Sequence, residues 1–157
     1  MVNITTAAKA VAAGYALAIS HGANYSIPLS TVADEVSTYF LPNYTSFTLG
    51  TINPLQNQSG IAAGFASLYE LWRQEDQPGT KVHITKTKVR AVSDQSALCW
   101  LTYTIHPTNG MEKWSWTNVY GFRMVENGTG ARRAGGWEFV IGDQEHQEYA
   151  KRFPETS

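Results

Sequence analysis

At 157 residues, with 43% apolar and 16% charged side chains, the chain is long enough for one domain with its own core and too apolar to be disordered. A formal net charge of −1 removes the electrostatic case for binding nucleic acid or an anionic membrane. Cys99 is the only cysteine, which excludes an intrachain disulfide and any multi-cysteine zinc site and fits a reducing compartment.

Ala10–Ser20, a small-residue apolar run after Lys9 with A-L-A at 16–18, imitates a secretion signal. It is alanine-rich and too short to span a bilayer, so the expectation is a cytoplasmic protein. Glycosylation sequons at Asn3, Asn24, Asn43, Asn57 and Asn127 would matter only in a secreted chain. Thr5 or Thr6 can cap a first helix running to about Ser20, with Val11, Tyr15 and Ile19 on one stripe. His21–Leu29 reads as a loop. Ser30 or Thr31 caps a second helix, where Thr31 and Asp34 resemble a capping box, with Val32, Val36, Tyr39 and Phe40 buried and Pro42 as the stop. Tyr44–Leu49 is a short strand and Thr51–Gln58 a polar loop. A third helix after Ser59 places Ile61, Phe65, Leu68 and Trp72 at helical spacing.

From Lys81 the period changes to 2. Lys81–Val92 and Ser96–Pro107 form a hairpin, read with Asp94 and Gln95 as its two loop residues. That register puts His83, Thr85, Thr87 and Val89 on one face with Trp100, Thr102, Thr104 and His106. Leu101, Tyr103 and Ile105 then fall on the other, and a one-residue slip would exchange the faces. Glu112–Val125 is a long strand with Trp114, Trp116, Asn118, Tyr120 and Phe122 on one side. An amide among those aromatics suits a face lining a cavity, or a sheet core in which Asn118 bonds a neighbouring backbone. A Gly-rich loop leads to a last strand, Trp137–Ile141. Asp143 can cap a closing helical turn presenting His146, Tyr149 and Phe153. Three helices followed by four consecutive antiparallel strands make an α+β two-layer fold, with the helices packed on a curved sheet.

This order, together with Y-F-L-P-N-Y-T-S-F (39–47), S-G-I-A-A-G-F (59–65), V-H-I-T-K-T-K-V (82–89), N-V-Y-G-F-R-M (118–124) and G-W-E-F-V-I (136–141), resembles the nuclear transport factor 2-like superfamily. That superfamily has a cone-shaped domain and includes scytalone dehydratase, ketosteroid isomerase, limonene epoxide hydrolase and the SnoaL-like polyketide cyclases. With the D-Q-E-H-Q-E-Y tail, the chain is most similar to small fungal members tied to secondary metabolism. The resemblance implies an oxyanion-hole tyrosine at Tyr15 and places Tyr120 near the isomerase's oxyanion-hole aspartic acid. The isomerase base falls near Thr48, which cannot act as one. His83 lies within a residue of a catalytic histidine of scytalone dehydratase, and Asn118 matches its substrate-contacting asparagine. The dehydratase's second histidine falls nearer Thr102, so that pair is incomplete. The epoxide hydrolase's carboxylate and arginine arrangement is not evident.

By their own chemistry, His83 is a candidate base at neutral pH or a half-buried structural residue. His106 is read as solvated, and His21 and His146 are too scattered to ligate a metal. Tyr39, Tyr44, Tyr69 and Trp72 are core aromatics that can also line a cavity. Lys86, Lys88 and Arg90 read as a solvated basic stripe. The expected function is a dehydratase, isomerase or cyclase that needs no cofactor and binds a hydrophobic, oxygenated polycycle or polyketide through Trp116, Trp72 and the tyrosines. Asn118, Tyr15 and Tyr120 would hold a carbonyl or phenolate while His83 moves a proton. The alternative is a non-catalytic binding or interaction module. A homodimer is expected through the outer sheet face, because Leu101, Tyr103 and Ile105 would otherwise be an exposed apolar patch.

Overall fold

The computed structural model describes residues 3–53, 58–75, 80–107, 110, 112–125 and 134–152. Helices α1 (Ile4–Ser20), α2 (Leu29–Ser37), α3 (Gln58–Glu75) and α4 (Asp143–Arg152) pack on a six-stranded sheet. Its strands β1 (Phe40–Thr48), β2 (Thr51–Asn53), β3 (Lys81–Ala91), β4 (Ser96–His106), β5 (Trp114–Met124) and β6 (Gly135–Ile141) are ordered β2-β1-β6-β5-β4-β3. The β1–β6 pair is parallel and the other pairs antiparallel, giving the α+β arrangement that the sequence implies. Among the described residues no helix is long and apolar enough to cross a membrane.

Helix α1 starts two or three residues earlier than its threonines suggest. Asn3 caps it, accepting from the Thr6 amide at 2.8 Å, and Val11, Tyr15 and Ile19 form the buried stripe. Helix α2 follows Pro28 without a side-chain cap, so the Thr31–Asp34 box does not form. It ends at Ser37, leaving Tyr39 in the connection and Phe40 as the first residue of β1. Pro42 lies inside β1, where the pairing with β6 is irregular between Phe40 and Thr45, a place that tolerates its missing N–H. Leu49 (φ 46°) and Gly50 (φ 85°) form a two-residue turn with positive φ at both positions, which suits a twisted hairpin. This turn converts the start of the expected polar loop into β2. Helix α4 makes more than the single turn expected; Asp143 Oδ1 accepts from the Leu49 amide at 2.7 Å and ties the helix to that hairpin. Phe153 lies outside the described residues.

The β3–β4 register departs from expectation twice. Ala91 pairs with Ala97, and Val92 and Ser93 both donate to the Ser96 carbonyl, so the turn is one residue longer than the Asp94-Gln95 reading. Pairing with β5, Tyr103 to Trp116, Leu101 to Asn118 and Cys99 to Tyr120, puts Cys99, Leu101, Tyr103 and Ile105 on the helix side. A bulge between Ile84 and Lys86 then shifts the pairing again, so that Val82 faces Ile105 and His83 faces Thr104. Without the bulge His83 would point inward; with it, Val82 does. Leu101, Tyr103 and Ile105 are 0%, 3% and 2% exposed, so they are core, and the expected dimer loses the patch that motivated it.

Candidate active site

The concave face of the sheet, α3 and α4 enclose a chamber of about 180 Å³. Periodicity places its walls. Ile61, Phe65, Leu68 and Trp72 recur along one face of α3, while Trp116, Asn118 and Tyr120 alternate along β5 and meet Tyr103, Leu101 and Cys99 of β4 across the ladder. Tyr103 stacks on Trp116, with centroids 5.2 Å apart and planes at 9°. Tyr149 of α4, which lines the outer cavity, packs behind that wall, edge-on to Trp114 and accepting a hydrogen bond from Trp72 Nε1. A second cavity of about 430 Å³ opens beside the chamber; the two share Tyr44, Leu68, Val140 and Glu145, and Thr48 and His146 line only the outer one.

Three phenol hydroxyls meet at the inner end. Tyr15 lies 3.0 Å from Tyr103 and 3.4 Å from Tyr120, and Tyr103 and Tyr120 are 2.5 Å apart. Burial raises the pKa of all three. Tyr15 and Tyr103 go well above the ordinary value, but Tyr120 stops at about 12 because Tyr103, Tyr15 and Asn118 donate to its phenolate. Hydrogen bonds from Tyr103, Tyr15 and Asn118 thus converge on the Tyr120 oxygen and favour its phenolate.

At the neck between the cavities lies Glu145. Its residue is half-buried, but burial of the carboxyl group pushes its pKa up, partly opposed by the hydrogen bond from Asn118 Nδ2 at 2.9 Å. Its charge raises the pKa of Tyr120, Tyr44 and Tyr149, so it acts on both ends of the aromatic chamber. A carboxylate and a phenol cluster thus border one mostly apolar space, the arrangement that proton abstraction beside a carbonyl needs: a base at carbon and donors at oxygen. Among the described residues no three of His, Cys, Asp and Glu come together as a metal site.

The residues singled out from sequence divide accordingly. Asn118, Tyr120, Trp116, Trp72 and Tyr44 line the chamber, Tyr15 stands behind it in the hydroxyl cluster, and Thr48 lines the outer cavity. Tyr39 and Tyr69 are core: Tyr39 packs edge-on to Tyr15, and Tyr69 donates to the Ile19 carbonyl at 3.1 Å. Thr102 is on the outer face, its hydroxyl 2.8 Å from that of Thr117. His83 is there too, beside His106 with ring centroids 5.9 Å apart. Burial, then His106 and Lys81, hold its pKa below the ordinary value. The β3 bulge removes it from the proton-carrier role expected of it. His83→Ala should leave turnover unchanged and cost at most about 0.5 kcal/mol in stability, checked by steady-state rates and thermal unfolding. Sequence reasoning, which sets His146, Tyr149 and Phe153 on one side of the tail, passes over Glu145. The i, i+4 spacing of Glu145 and Tyr149 was the available signal, and it places both on one helix face.

No family model matches the sequence, and no curated protein matches it either. Solved structures do. A nuclear transport factor 2-like protein of unknown function from Pseudomonas putida superimposes with a TM-score of 0.61 at 8% identity, over 87% of this chain and 83% of its own. The fold is that of the nuclear transport factor 2-like proteins. A domain of unknown function from Nostoc punctiforme, described as cystatin-like, gives 0.62 at 16% identity, over 96% of this chain and 85% of its own. A candidate scytalone dehydratase from Novosphingobium aromaticivorans gives 0.54 at 9% identity, over 85% and 78%. At these identities the nuclear transport factor 2-like likeness extends to the fold alone, and the chemistry has to be argued from the chamber itself.

Proposed function

We propose that the protein is an acid–base enzyme of the lyase or isomerase type acting on a small carbonyl compound with an acidic C–H bond. The observation that carries this is the Glu145 carboxylate, held by Asn118 and sharing a chamber with the Tyr103 and Tyr120 hydroxyls, behind which Tyr15 stands. Glu145 takes a proton from the carbon beside the carbonyl, while Tyr120 and Tyr103 donate to the oxygen on which charge collects. The same groups return the proton at a new carbon in an isomerisation, or deliver it to a leaving hydroxyl in an elimination. The chemistry uses the chain's own side chains. A cavity of about 150 Å³ holds a benzene ring, so the chamber of about 180 Å³ suits one six-membered ring, and a larger polyketide-like substrate would extend into the outer cavity.

Isomerisation of cyclohex-3-enone to cyclohex-2-enone tests this reading with a generic probe, followed by ultraviolet absorbance. The wild-type protein should accelerate it well above an equal concentration of acetate buffer. Absence of acceleration, together with absence of binding, would favour an interaction module of the same fold.

A further inference from the structure

Beyond Gly142 and its two chain neighbours, the three heavy atoms nearest to where a Cβ on Gly142 would stand are all side-chain oxygens: Thr48 Oγ1 at 3.7 Å, Asn118 Oδ1 at 4.0 Å and Glu145 Oε1 at 4.0 Å. They come from three separate elements, β1, β5 and α4. Asn118 is 3% exposed, and its Nδ2 donates to Glu145 Oε1. Its Oδ1 is buried with no hydrogen-bond partner among the described residues. Leaving a buried amide oxygen unpaired is costly, so its retention beside an open notch points to a ligand atom. The notch belongs to the substrate space, since Gly142, Thr48 and Glu145 line the outer cavity and Asn118 and Glu145 the inner one.

The donor set fixes what can sit there. An amide oxygen and an ionised carboxylate only accept, and a threonine hydroxyl does either. We propose that the Gly142 notch is a subsite for an oxygen that donates hydrogen bonds, supplied by a hydroxyl of the substrate or by a water molecule that reacts with it. This rests on the acid–base reading in requiring Glu145 to be ionised and, where water is the occupant, in using Glu145 as base and Tyr120 as donor. An alanine Cβ at Gly142 would stand within 4.0 Å of all three oxygens and so crowd the space such an oxygen needs. Neither strain nor a clash demands glycine there: its φ is not in the left-handed range, and a Cβ would make ordinary van der Waals contacts. Where water is the occupant, Glu145 takes one of its protons as its oxygen bonds to the carbonyl carbon. The carbonyl π pair moves to its own oxygen, which takes a proton from Tyr120. The gem-diol collapses by the reverse path with loss of either oxygen, exchanging the carbonyl oxygen with solvent.

Gly142→Ala tests the proposal, with Thr48→Val as a second variant that removes one oxygen without adding bulk. Thermal unfolding should show both variants folded. In crystals of the ligand-free wild type, an ordered oxygen should lie within about 3.2 Å of Asn118 Oδ1 and Glu145 Oε1, and should be absent from Gly142→Ala. If the substrate supplies the hydroxyl, wild type will bind 3-hydroxycyclohexanone about tenfold more tightly than cyclohexanone, and Gly142→Ala will bind the two alike. If water is the occupant, the two ketones will bind alike to wild type. Labelled oxygen from water will then enter cyclohexanone in wild type but not in Gly142→Ala. The proposal is overturned if no ordered oxygen is found and Gly142→Ala matches wild type in both ketone assays. The crystallographic result needs no turnover. Full activity in a Glu145 variant would therefore sink the base assignment without deciding the notch.

Discussion

Glu145→Gln is expected to lower the rate of cyclohex-3-enone isomerisation by about 10²–10⁴-fold while raising Tm at pH 8. Glutamine keeps the length of the side chain and can still accept from Asn118 Nδ2, so the chamber should close as before. What it removes is the basic oxygen. The stability gain follows from the direction of the pKa shift. Burial raises the carboxyl pKa in the folded protein above its value in the unfolded chain. Below the unfolded value both states are protonated and burial of the group carries no ionic penalty. As pH rises through the folded value, the folded protein must hold a charge that the unfolded chain would solvate, and stability is lost. Wild-type Tm should therefore fall relative to the variant as pH climbs from the ordinary carboxylate range toward neutrality. The scale is about 2–4 °C for each kcal/mol at this chain length. The same ionisation produces the acid limb of the rate profile, so the Tm gap should open over the pH range in which activity rises. A Glu145→Gln protein less stable than wild type at pH 8 would make the carboxylate a structural partner of Asn118.

The layers of the fold were legible because they rest on periodicity. Ile61, Phe65, Leu68 and Trp72 repeat at helical spacing, and Trp114 to Phe122 alternate, so α3 and β5 and their inward faces follow from the order of residues alone. The faces of the β3–β4 hairpin were not legible, because parity depends on the turn length and on a bulge at Thr85, and neither carries a strong residue signature. Near His83 the two one-residue shifts cancel, so it keeps Thr104 and His106 on its face; the β4–β5 pairing, Leu101 with Asn118 and Tyr103 with Trp116, makes Leu101 and Tyr103 the inward set and leaves Thr102 and His83 outside. β1 was half hidden, since Pro42 reads as a helix stop and the parallel partner that tolerates it, β6, lies far along the chain. For the site, Asn118 among aromatics correctly marked the wall, because a polar group on a buried face needs a reason. Glu145 carried no such contrast: in D-Q-E-H-Q-E-Y it is one polar residue among many. Only the docking of α4 over the chamber, with Tyr149 against Trp114 and Trp116, distinguishes it from exposed Gln147.

Tyr120→Phe is the complementary test, at the oxygen end of the chamber. Its expected effect is a loss of about 10²–10³-fold in kcat, the range found when one donor to a developing oxyanion is removed. Tyr120 is chosen over its neighbours on the support for its phenolate and on position. Tyr15 does not line the chamber, and both Tyr15 and Tyr103 are pushed well above the ordinary phenol pKa. Tyr120 lines it and is held to about 12 by the hydrogen bonds that converge on its oxygen. Since the best donor is the one whose conjugate base is best supported, charge on the substrate oxygen should be met first by Tyr120, with Tyr103 and Tyr15 behind it. The cost to stability should be modest, about 0.5–1.5 kcal/mol, because the Tyr15–Tyr103 hydrogen bond of 3.0 Å survives the change. The pH profile gives a readout that a structural role would not move. With Glu145 as base and Tyr120 as donor, the wild-type rate should rise along a single acid limb and stay level into the alkaline range, because Tyr120 ionises only near 12. Tyr120→Phe should lower the plateau and leave the acid limb in place. If Tyr103→Phe lowers the plateau and Tyr120→Phe does not, the donor is the phenol stacked on Trp116.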